Sequence, residues 1–257
     1  MNYYFKNEFK RVLFSRRSIY VFIITLGLLL ISFFNFINIE GFNLNEFKVI
    51  YDSLDVYIYI RKDLLVLIAP ILASLVFSDS YLLDSESGFL NYIYIRTNKI
   101  KYITIKLLVN ALVSGIVITF ASSIIILFLI ILLGVNNNHL HDITGPFNFI
   151  YYQSRILYFL LLLGVSFIFN VVFSSLSLGL SPWIKNRYLT TLSSFFYYFL
   201  SGTLLVSIGL TNLNANILYT LNPIAAESNI ILYQIILFII GVILFFTGVL
   251  FKDEKNN

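Results

Sequence analysis

The sequence has no cysteine, little proline and few charged residues. Its 257 residues include no Cys and four Pro, and Asp, Glu, Lys and Arg together make up 12%. The absence of Cys excludes disulfides, cysteine metal sites and a thiol nucleophile. Soluble domains are about one quarter charged, so the low charge excludes an ordinary soluble globular protein. A hydrophobic content of 59% equally excludes a disordered chain.

Sequence motifs of common enzymes are also missing. None of the 12 glycines is followed by Lys, so there is no Walker A phosphate loop. There is no HExxH, GxSxG or Rossmann glycine pattern either. We therefore expect no catalytic residue, no cofactor and no nucleotide-binding domain in this chain.

Long apolar runs take the place of these motifs. A helix of about 20 apolar residues crosses the ~30 Å hydrocarbon layer of a bilayer. Six runs qualify, the second of them interrupted by Pro70, and they cover residues 18–37, 64–83, 107–135, 156–180, 189–210 and 230–251. The runs are continuous rather than alternating, which favours helices. The sequence thus predicts an all-α membrane protein whose residues 1–257 form a single transmembrane domain.

The distribution of basic residues predicts the orientation. Of the 17 Lys and Arg residues, 13 lie in the N-terminal segment, the second-to-third and fourth-to-fifth loops and the C-terminal tail, and 4 lie in the other loops. The positive-inside rule then places both termini in the cytoplasm. The basic excess is explained by topology, so we expect no nucleic-acid partner.

Three segments outside the runs have readable patterns. In residues 1–17, Phe5, Phe9, Val12 and Leu13 recur at helical spacing between basic residues, which predicts an interfacial helix with this stripe in lipid. The first outer loop, residues 38–63, suits a short hairpin or an interfacial helix. The last outer loop, residues 211–229, suits either a short helix dipping into the outer leaflet or a plain surface loop.

Polar residues within or beside the runs provide few candidates for chemistry. His139, His141 and Asp142 are of metal-ligating types, but a solvated Asn-rich loop is the simpler interpretation. Every Asp and Glu lies at a boundary of a run or outside it, which disfavours a proton-coupled carrier. Uncharged polar residues inside the runs serve either as helix-packing groups or as the lining of a translocation path. The candidates for path lining are Asn110, Asn170, Ser174, Ser177, Thr191 and Ser194.

Residues 78–106, between the second and third runs, form the most informative segment. The segment begins acidic, turns at Gly88 and ends basic. Acidic residues before a helix favour its positive N-terminal end, so residues 84–102 are expected to contain a short amphipathic helix. Its apolar residues would lie on the membrane surface or against a partner protein. The residues concerned are Asp84, Glu86, Gly88, Phe89, Leu90, Tyr92, Ile93, Tyr94 and Arg96.

This segment resembles the membrane subunits of ABC-2-type transporters. Those proteins have a Glu-x-Gly-x-Leu pattern after the second span, matched here by Glu86, Gly88 and Leu90. A basic turn and a Lys opening the third span follow in the family, as in the Arg96–Lys99 segment and Lys106 here, although the usual Pro of the turn is missing. The six-span layout with a basic N-terminus is also similar.

The resemblance implies an architecture and a set of partners. It implies an N-terminal elbow helix, a coupling helix at residues 84–102 seated on an ATPase subunit, and two ATPase chains that bind ATP and Mg. A second copy of this chain or a sister permease would complete the transporter. Neither a metal nor a cofactor is expected to bind to this chain itself.

The substrate is predicted from composition. A bundle poor in charge and rich in aromatic residues suits hydrophobic or amphipathic cargo. The Ile-, Asn- and Lys-rich composition indicates an A+T-rich bacterial genome and thus a bacterial plasma membrane. Small systems of this family export toxic or antimicrobial peptides, such as phenol-soluble modulins, which makes peptide export or immunity the expected function. The alternatives are a peptide-sequestering membrane protein and a secondary transporter without an ATPase.

Overall fold

A computed structural model describes residues 2–41, 47, 50–135, 145–221 and 227–254. Throughout these residues the secondary structure is helical, with no strand. In chain order the helices are α1 (Asn2–Leu13), α2 (Arg16–Glu40), α3 (Ser53–Glu86), α4 (Phe89–Arg96), α5 (Lys99–Leu133), α6 (Asn148–Gln153), α7 (Arg155–Leu180), α8 (Arg187–Leu200), α9 (Asn216–Thr220) and α10 (Glu227–Glu254).

Five of these helices are long and apolar enough to cross a membrane: α2, α3, α5, α7 and α10. Large apolar side chains cover the outward surfaces of α2 and α10, among them Ile23, Phe34, Ile236 and Ile243. Such surfaces are stable in lipid and costly in water. The described residues therefore have the fold of a multi-pass α-helical membrane protein. The first, third, fourth and sixth predicted runs correspond to α2, α5, α7 and α10.

The fifth predicted run is helical but is not among the five. It forms α8, which continues as a wide π-helical turn at Ser201–Leu205. The inward face of α8 is polar, with Thr190, Ser194 and Tyr198 buried. Because α8 carries these hydroxyl groups, it is less apolar than the five candidate spans. A sixth crossing by α8 stays a prediction.

The second predicted span begins too late in the sequence-based interpretation. The structure starts α3 at Ser53 rather than at residue 64, so residues 53–60 are helical and form no hairpin. An interfacial position of this helical segment stays a prediction. Asp52 caps this start, since its Oδ1 accepts hydrogen bonds from the backbone N–H groups of Leu54 and Asp55 at 2.9 Å. The charged stretch that follows, beginning with Arg61, is taken into the helix.

The charged stretch of α3 is wound as a π helix from Arg61 to Leu65. Within it Asp63 has non-helical angles (φ −82°, ψ −115°). Pro70 lies one turn further on, inside the next α-helical part, and its ring nitrogen cannot donate to the carbonyl of Val66. Pro70 is thus accommodated within an α-helical part of α3, and the irregular π-helical turn lies before it.

Helices α3 and α7 form the centre of the bundle. In α3, 72% of the most apolar window is buried, against 33–44% in the other four candidate spans. Helix α7 packs against α3, α5, α8 and α10. Its contact with α10 is close, because a Cβ atom on Gly179 would lie 2.4 Å from the Gly241 carbonyl oxygen. A Cβ on Gly241 would likewise lie 2.9 Å from the backbone of Ser175, so both glycines allow the two helix backbones to approach.

The segment before α10 contains a short buried helix rather than a plain surface loop, and its entry into the outer leaflet stays a prediction. Helix α9 is buried at Ile217, Leu218 and Tyr219. The ring of Tyr219 lies 4.9 Å from that of Phe169, which is near the middle of α7. The chain therefore enters the bundle to about half the length of α7 and turns back.

Helix α1 lies against the bundle and not simply in lipid. Val12 is 2% exposed, and Phe5 and Phe9 stack with a ring-centroid distance of 5.8 Å and pack on the core. Glu8 lies on the same face and is 6% exposed. The predicted helix is present, but its apolar stripe faces protein because it surrounds a buried carboxylate that needs a partner.

Candidate functional site

Segments distant in the sequence meet at one end of the bundle, which we call the basic end. Arg17 at the start of α2 pairs with Asp79 of α3 at 2.5 Å. Arg187 at the start of α8 pairs with Glu86 at the end of α3. The N-terminal segment, the segment after α3 and the segment before α8 therefore meet at this end, and which side of the membrane it faces stays a prediction.

The Glu-x-Gly-x-Leu motif forms the turn between α3 and α4 at the basic end. Glu86 is the last residue of α3, and Gly88 has φ +71°, a left-handed conformation that glycine adopts without strain. Helix α4 then runs to Arg96, Thr97 is extended, and the side chain of Asn98 caps α5 by accepting from Ile100 N–H at 3.0 Å. The motif therefore forms the first of two turns that join α3, α4 and α5.

Helix α4 has one face inside the bundle and one outside. Leu90 and Ile93 are buried in a small cluster with Tyr102 of α5. Phe89, Tyr92 and Ile95 point away, with exposed fractions of 50%, 69% and 84%. This exposed row has the spacing i, i+3, i+6 and forms an apolar stripe along a short helix. We call Phe89, Tyr92 and Ile95 the α4 stripe.

A buried ion-pair network holds α1, α3 and α5 together directly behind α4. The Nζ atom of Lys106 lies 2.9 Å from Oε1 of Glu8 and 2.8 Å from Oδ2 of Asp84, and the lysine side chain is 1% exposed. Arg11 also pairs with Glu8, at 2.6 Å. The Lys106 ammonium lies 4.6 Å from the ring centroid of Phe77. One buried cation, Lys106, thus faces two buried carboxylates, and Arg11, whose side chain is 59% exposed, adds a second cation from the surface.

Two tyrosines complete this network. The hydroxyl of Tyr102 donates to Oδ2 of Asp84 at 2.7 Å. Burial, and then the nearby Glu8 and Asp84 carboxylates, raise the pKa of Tyr4 well above its ordinary value, so Tyr4 remains a neutral phenol. Movement of α1 or α3 at this point would separate buried charges. The network therefore fixes α1, α3 and α5 relative to one another.

The acidic residues before α4 do not act as the sequence suggested. We expected them to favour the N-terminus of the short helix, but Gly88 at that position makes no side-chain cap. Asp84 binds Lys106 instead, and Glu86 binds Arg187 across the surface. The hydrogen bond from Arg187 to Glu86 raises the pKa of Arg187 above its ordinary value. Glu86 therefore ties the α3–α4 turn to the start of α8.

The other predicted residues of this segment divide between the two faces. Tyr94 packs edge-on against Tyr102 at a centroid distance of 5.9 Å, and the Lys99 ammonium lies 5.2 Å from the Tyr94 ring. Arg96 ends α4 and is exposed. The site residues predicted from residues 84–96 are thus brought together in space.

The residues predicted as possible path lining are placed mostly between helices of this one chain. The Nδ2 atom of Asn110 donates to the Ser174 carbonyl at 2.8 Å, and Asn170 donates to the Ser166 carbonyl at 2.7 Å. Ser177 Oγ donates to the Thr190 carbonyl.

The remaining two candidates belong to α8. Ser194 Oγ donates to the Pro70 carbonyl at 3.2 Å, and Thr191 borders a cleft described below. The geometry favours packing for the five buried residues, and a path-lining role stays a prediction. His139, His141 and Asp142 lie outside the described residues.

Sequence reasoning missed Glu8 and a buried arginine. Glu8 is the one acidic residue before Glu40, and it lies on the apolar face of α1. This unusual position in the sequence could have indicated a buried carboxylate. Arg61 is 1% exposed inside α3 and donates to the Tyr219 carbonyl of α9 at 2.5 Å. Its guanidinium carbon also lies 4.4 Å from the Tyr219 ring centroid. The expectation of spans without buried charge is therefore wrong.

A second buried arginine lies at the opposite end of the bundle. Arg155 at the start of α7 pairs with Asp52 at 2.9 Å and with Asp55 at 3.4 Å. Its guanidinium also lies 4.4 Å from the ring of Tyr151. Burial, followed by the charge of Asp55 and opposed by that of Arg155, raises the pKa of Tyr151. This cluster fixes the starts of α3 and α7 to each other.

Comparison with models of protein families, with curated proteins and with solved structures gives no match to this chain.

Proposed function

We propose that this chain is the membrane subunit of an ATP-driven ABC exporter of the ABC-2 type. Its ATPase is a separate protein present in two copies, which bind ATP and Mg. A second copy of this chain or a sister permease completes the transporter in a bacterial plasma membrane, with α8 as the sixth crossing and both termini cytoplasmic.

The observation that carries the proposal is the α4 stripe at the basic end. Three neighbouring apolar side chains of one short helix are exposed there, while the opposite face of the helix is fixed to the bundle. Exposed apolar surface of this kind is typical of a protein–protein contact. The Lys106 network and the Glu86–Arg187 pair connect α4 to α1, α3, α5 and α8. Closure of two ATPase chains against α4 would move these helices together.

The first experiment tests the docking of the ATPase. The chain is co-expressed with ATPase chains encoded in the same genome, and the complex is purified in mild detergent. Tyr92→Asp and Ile95→Asp are expected to abolish co-purification, since each places a charge in an apolar contact. The matched control is Tyr3→Asp, which changes a residue of α1 with 80% exposure outside residues 84–102.

The outcomes separate the competing functions. Loss of the ATPase with both stripe variants and its retention with Tyr3→Asp would support the transporter. A membrane subunit that stays alone with every ATPase, yet binds amphipathic peptide, would instead be a sequestering protein. Equal retention in all three variants would remove α4 as the docking helix.

A second experiment tests coupling. Glu86→Gln is expected to reduce the stimulation of ATP hydrolysis by substrate, because α3 and α8 lose their connection at the turn. Both Glu86 and Arg187 are partly exposed, so the folded state should be retained. The charge-exchanged double variant, Glu86→Arg with Arg187→Glu, is expected to recover part of the coupling. Unchanged coupling in Glu86→Gln would contradict the assigned role.

We propose an amphipathic or hydrophobic peptide as the substrate. The apolar helices of the bundle and their aromatic content support this cargo over ions. Proteoliposomes with the full complex are expected to accumulate a labelled amphipathic peptide only when ATP is supplied. Transport of sugar polymers or small drugs alone would overturn the peptide assignment.

A secondary transporter is the alternative that one observation favours. Arg61 is a buried cation inside α3, and ionisable groups at such positions are common in ion-coupled carriers. That function predicts peptide movement driven by a proton or sodium gradient in proteoliposomes without any ATPase. It also predicts loss of this movement in Arg61→Met.

A further inference from the structure

A cleft of about 740 Å³ opens between α2 and the start of α8 at the basic end. Its floor is α3, which contributes Leu75 and Asp79. One wall is α2, with Tyr20 and Ile24, and the other is α8 with the segment before it. A volume of this size is typical of a small-molecule or lipid site.

The rim of the cleft is cationic. Arg17, Lys185 and Arg187 line it, with Asp79 as its one carboxylate. Arg17 pairs with Asp79, and Arg187 pairs with Glu86. Among the residues that the structure describes, Lys185 forms no ion pair and is exposed. The rim therefore presents an excess of positive charge with one cation available to a ligand.

The interior of the cleft is apolar. From Arg17 to Ile24 the α2 wall rises by seven residue steps, which at 1.5 Å per step corresponds to roughly 10 Å of depth. Val21, Ile24 and Leu75 line this deeper part, and Leu75 and Ile24 are 36% and 44% exposed. A ligand that fits has an anionic head at the rim and a hydrocarbon chain along the wall.

We propose that this cleft binds an anionic phospholipid, with its phosphate at Lys185 and Arg187 and the first part of an acyl chain against Ile24 and Leu75. The charge of the rim selects an anionic headgroup, and the apolar wall selects a lipid over a free phosphate. In the orientation proposed above, the lipid comes from the inner leaflet, whose anionic headgroups attract Lys and Arg near the surface. The inference concerns the full chain alone and needs no ATPase.

The test is native mass spectrometry of the purified full-length chain with phosphatidylglycerol or phosphatidylcholine added. Phosphatidylglycerol is expected to remain bound in preference to phosphatidylcholine. Lys185→Gln should weaken this binding roughly five-fold, as one cation near an anionic headgroup contributes on the order of 1 kcal/mol. Lys185→Arg should restore it. The matched control is Arg16→Gln, since Arg16 is exposed beside Arg17 but does not line the cleft.

A second variant tests the apolar part without changing the charge. Leu75→Trp places a large side chain in the cleft and is expected to reduce phosphatidylglycerol binding at least as much as Lys185→Gln. Release of the lipid by millimolar inorganic phosphate would show a simple anion site and overturn the proposal. Equal binding of both lipids, equal effects of Lys185→Gln and Arg16→Gln, or a second copy of the chain covering the cleft with no bound lipid would also overturn it. Because no ATPase or peptide is present, none of these outcomes decides the transport function.

Discussion

Replacement of Lys106 by Met would leave two carboxylates buried without their shared cation. In the structure, Glu8 and Asp84 both lie within 2.9 Å of the Lys106 ammonium, and both are less than 10% exposed. Breaking a buried pair by removal of one partner costs about 3–5 kcal/mol. For a chain of this size, that corresponds to a decrease in melting temperature on the order of 10 °C.

The design of this test uses features of the chain itself. Unfolding is followed in mild detergent by the fluorescence of Trp183, the one tryptophan. Lys101→Met is the control, since Lys101 lies on the same helix and is half-buried. We expect it to change stability by less than about 0.5 kcal/mol. The triple variant Lys106→Met, Glu8→Gln, Asp84→Asn removes all three charges and should recover most of the loss.

Two results would refute this reasoning. One is a Lys106→Met variant no less stable than Lys101→Met, which would mean that the carboxylates are not buried against the lysine. The other is a triple variant less stable than Lys106→Met alone, which would mean that hydrogen bonding rather than charge balance dominates the site. The absence of Cys also permits single cysteines in α1, whose labelling rate would show whether α1 separates when Lys106 is lost.

Two further predictions concern packing and charge elsewhere in the bundle. Gly241→Val should destabilise the chain by about 3 kcal/mol, because a Cβ atom at this position would lie 2.9 Å from the backbone of Ser175. Gly164→Val is the control and should be near neutral, because a Cβ atom there would have no neighbour within 4 Å. Paired melting curves of the two variants check this, and equal losses would contradict the close α7–α10 contact. Arg155→Met should decrease the free energy of unfolding more than Arg61→Met does. Loss of Arg155 leaves Asp52 buried without a cation, whereas Arg61 has no carboxylate partner among the described residues. The same melting assay decides the order, and a larger loss in Arg61→Met would reverse our interpretation of both arginines.

The sequence was sufficient where a long apolar run dominated. The runs of α2, α7 and α10 agree with their helices within three residues at each end, whereas α5 starts eight residues before its run. The turn at Gly88 was also readable, because a glycine between an acidic and an apolar stretch commonly marks a left-handed residue. These features depend on local properties of the chain.

The sequence failed where a distant partner changes the meaning of a residue. Arg61 looked like part of a loop because a charged stretch normally ends a span, yet the Tyr219 carbonyl, 158 residues away, makes its burial possible. Glu8 looked like one polar position of a basic helix until Lys106, 98 residues away, provided its counter-charge. Hydropathy along the chain contains no information about such pairs.

The position of α9 has a consequence for biogenesis. Five residues do not form a stable helix alone in lipid, and α9 depends on Arg61 of α3 and on Ser201, whose Oγ accepts from Ala215 N–H at 3.1 Å. Both partners precede α9 in the chain, so they are made before it. We therefore expect α9 to reach its buried position only when α3 and the turn after α8 have come together.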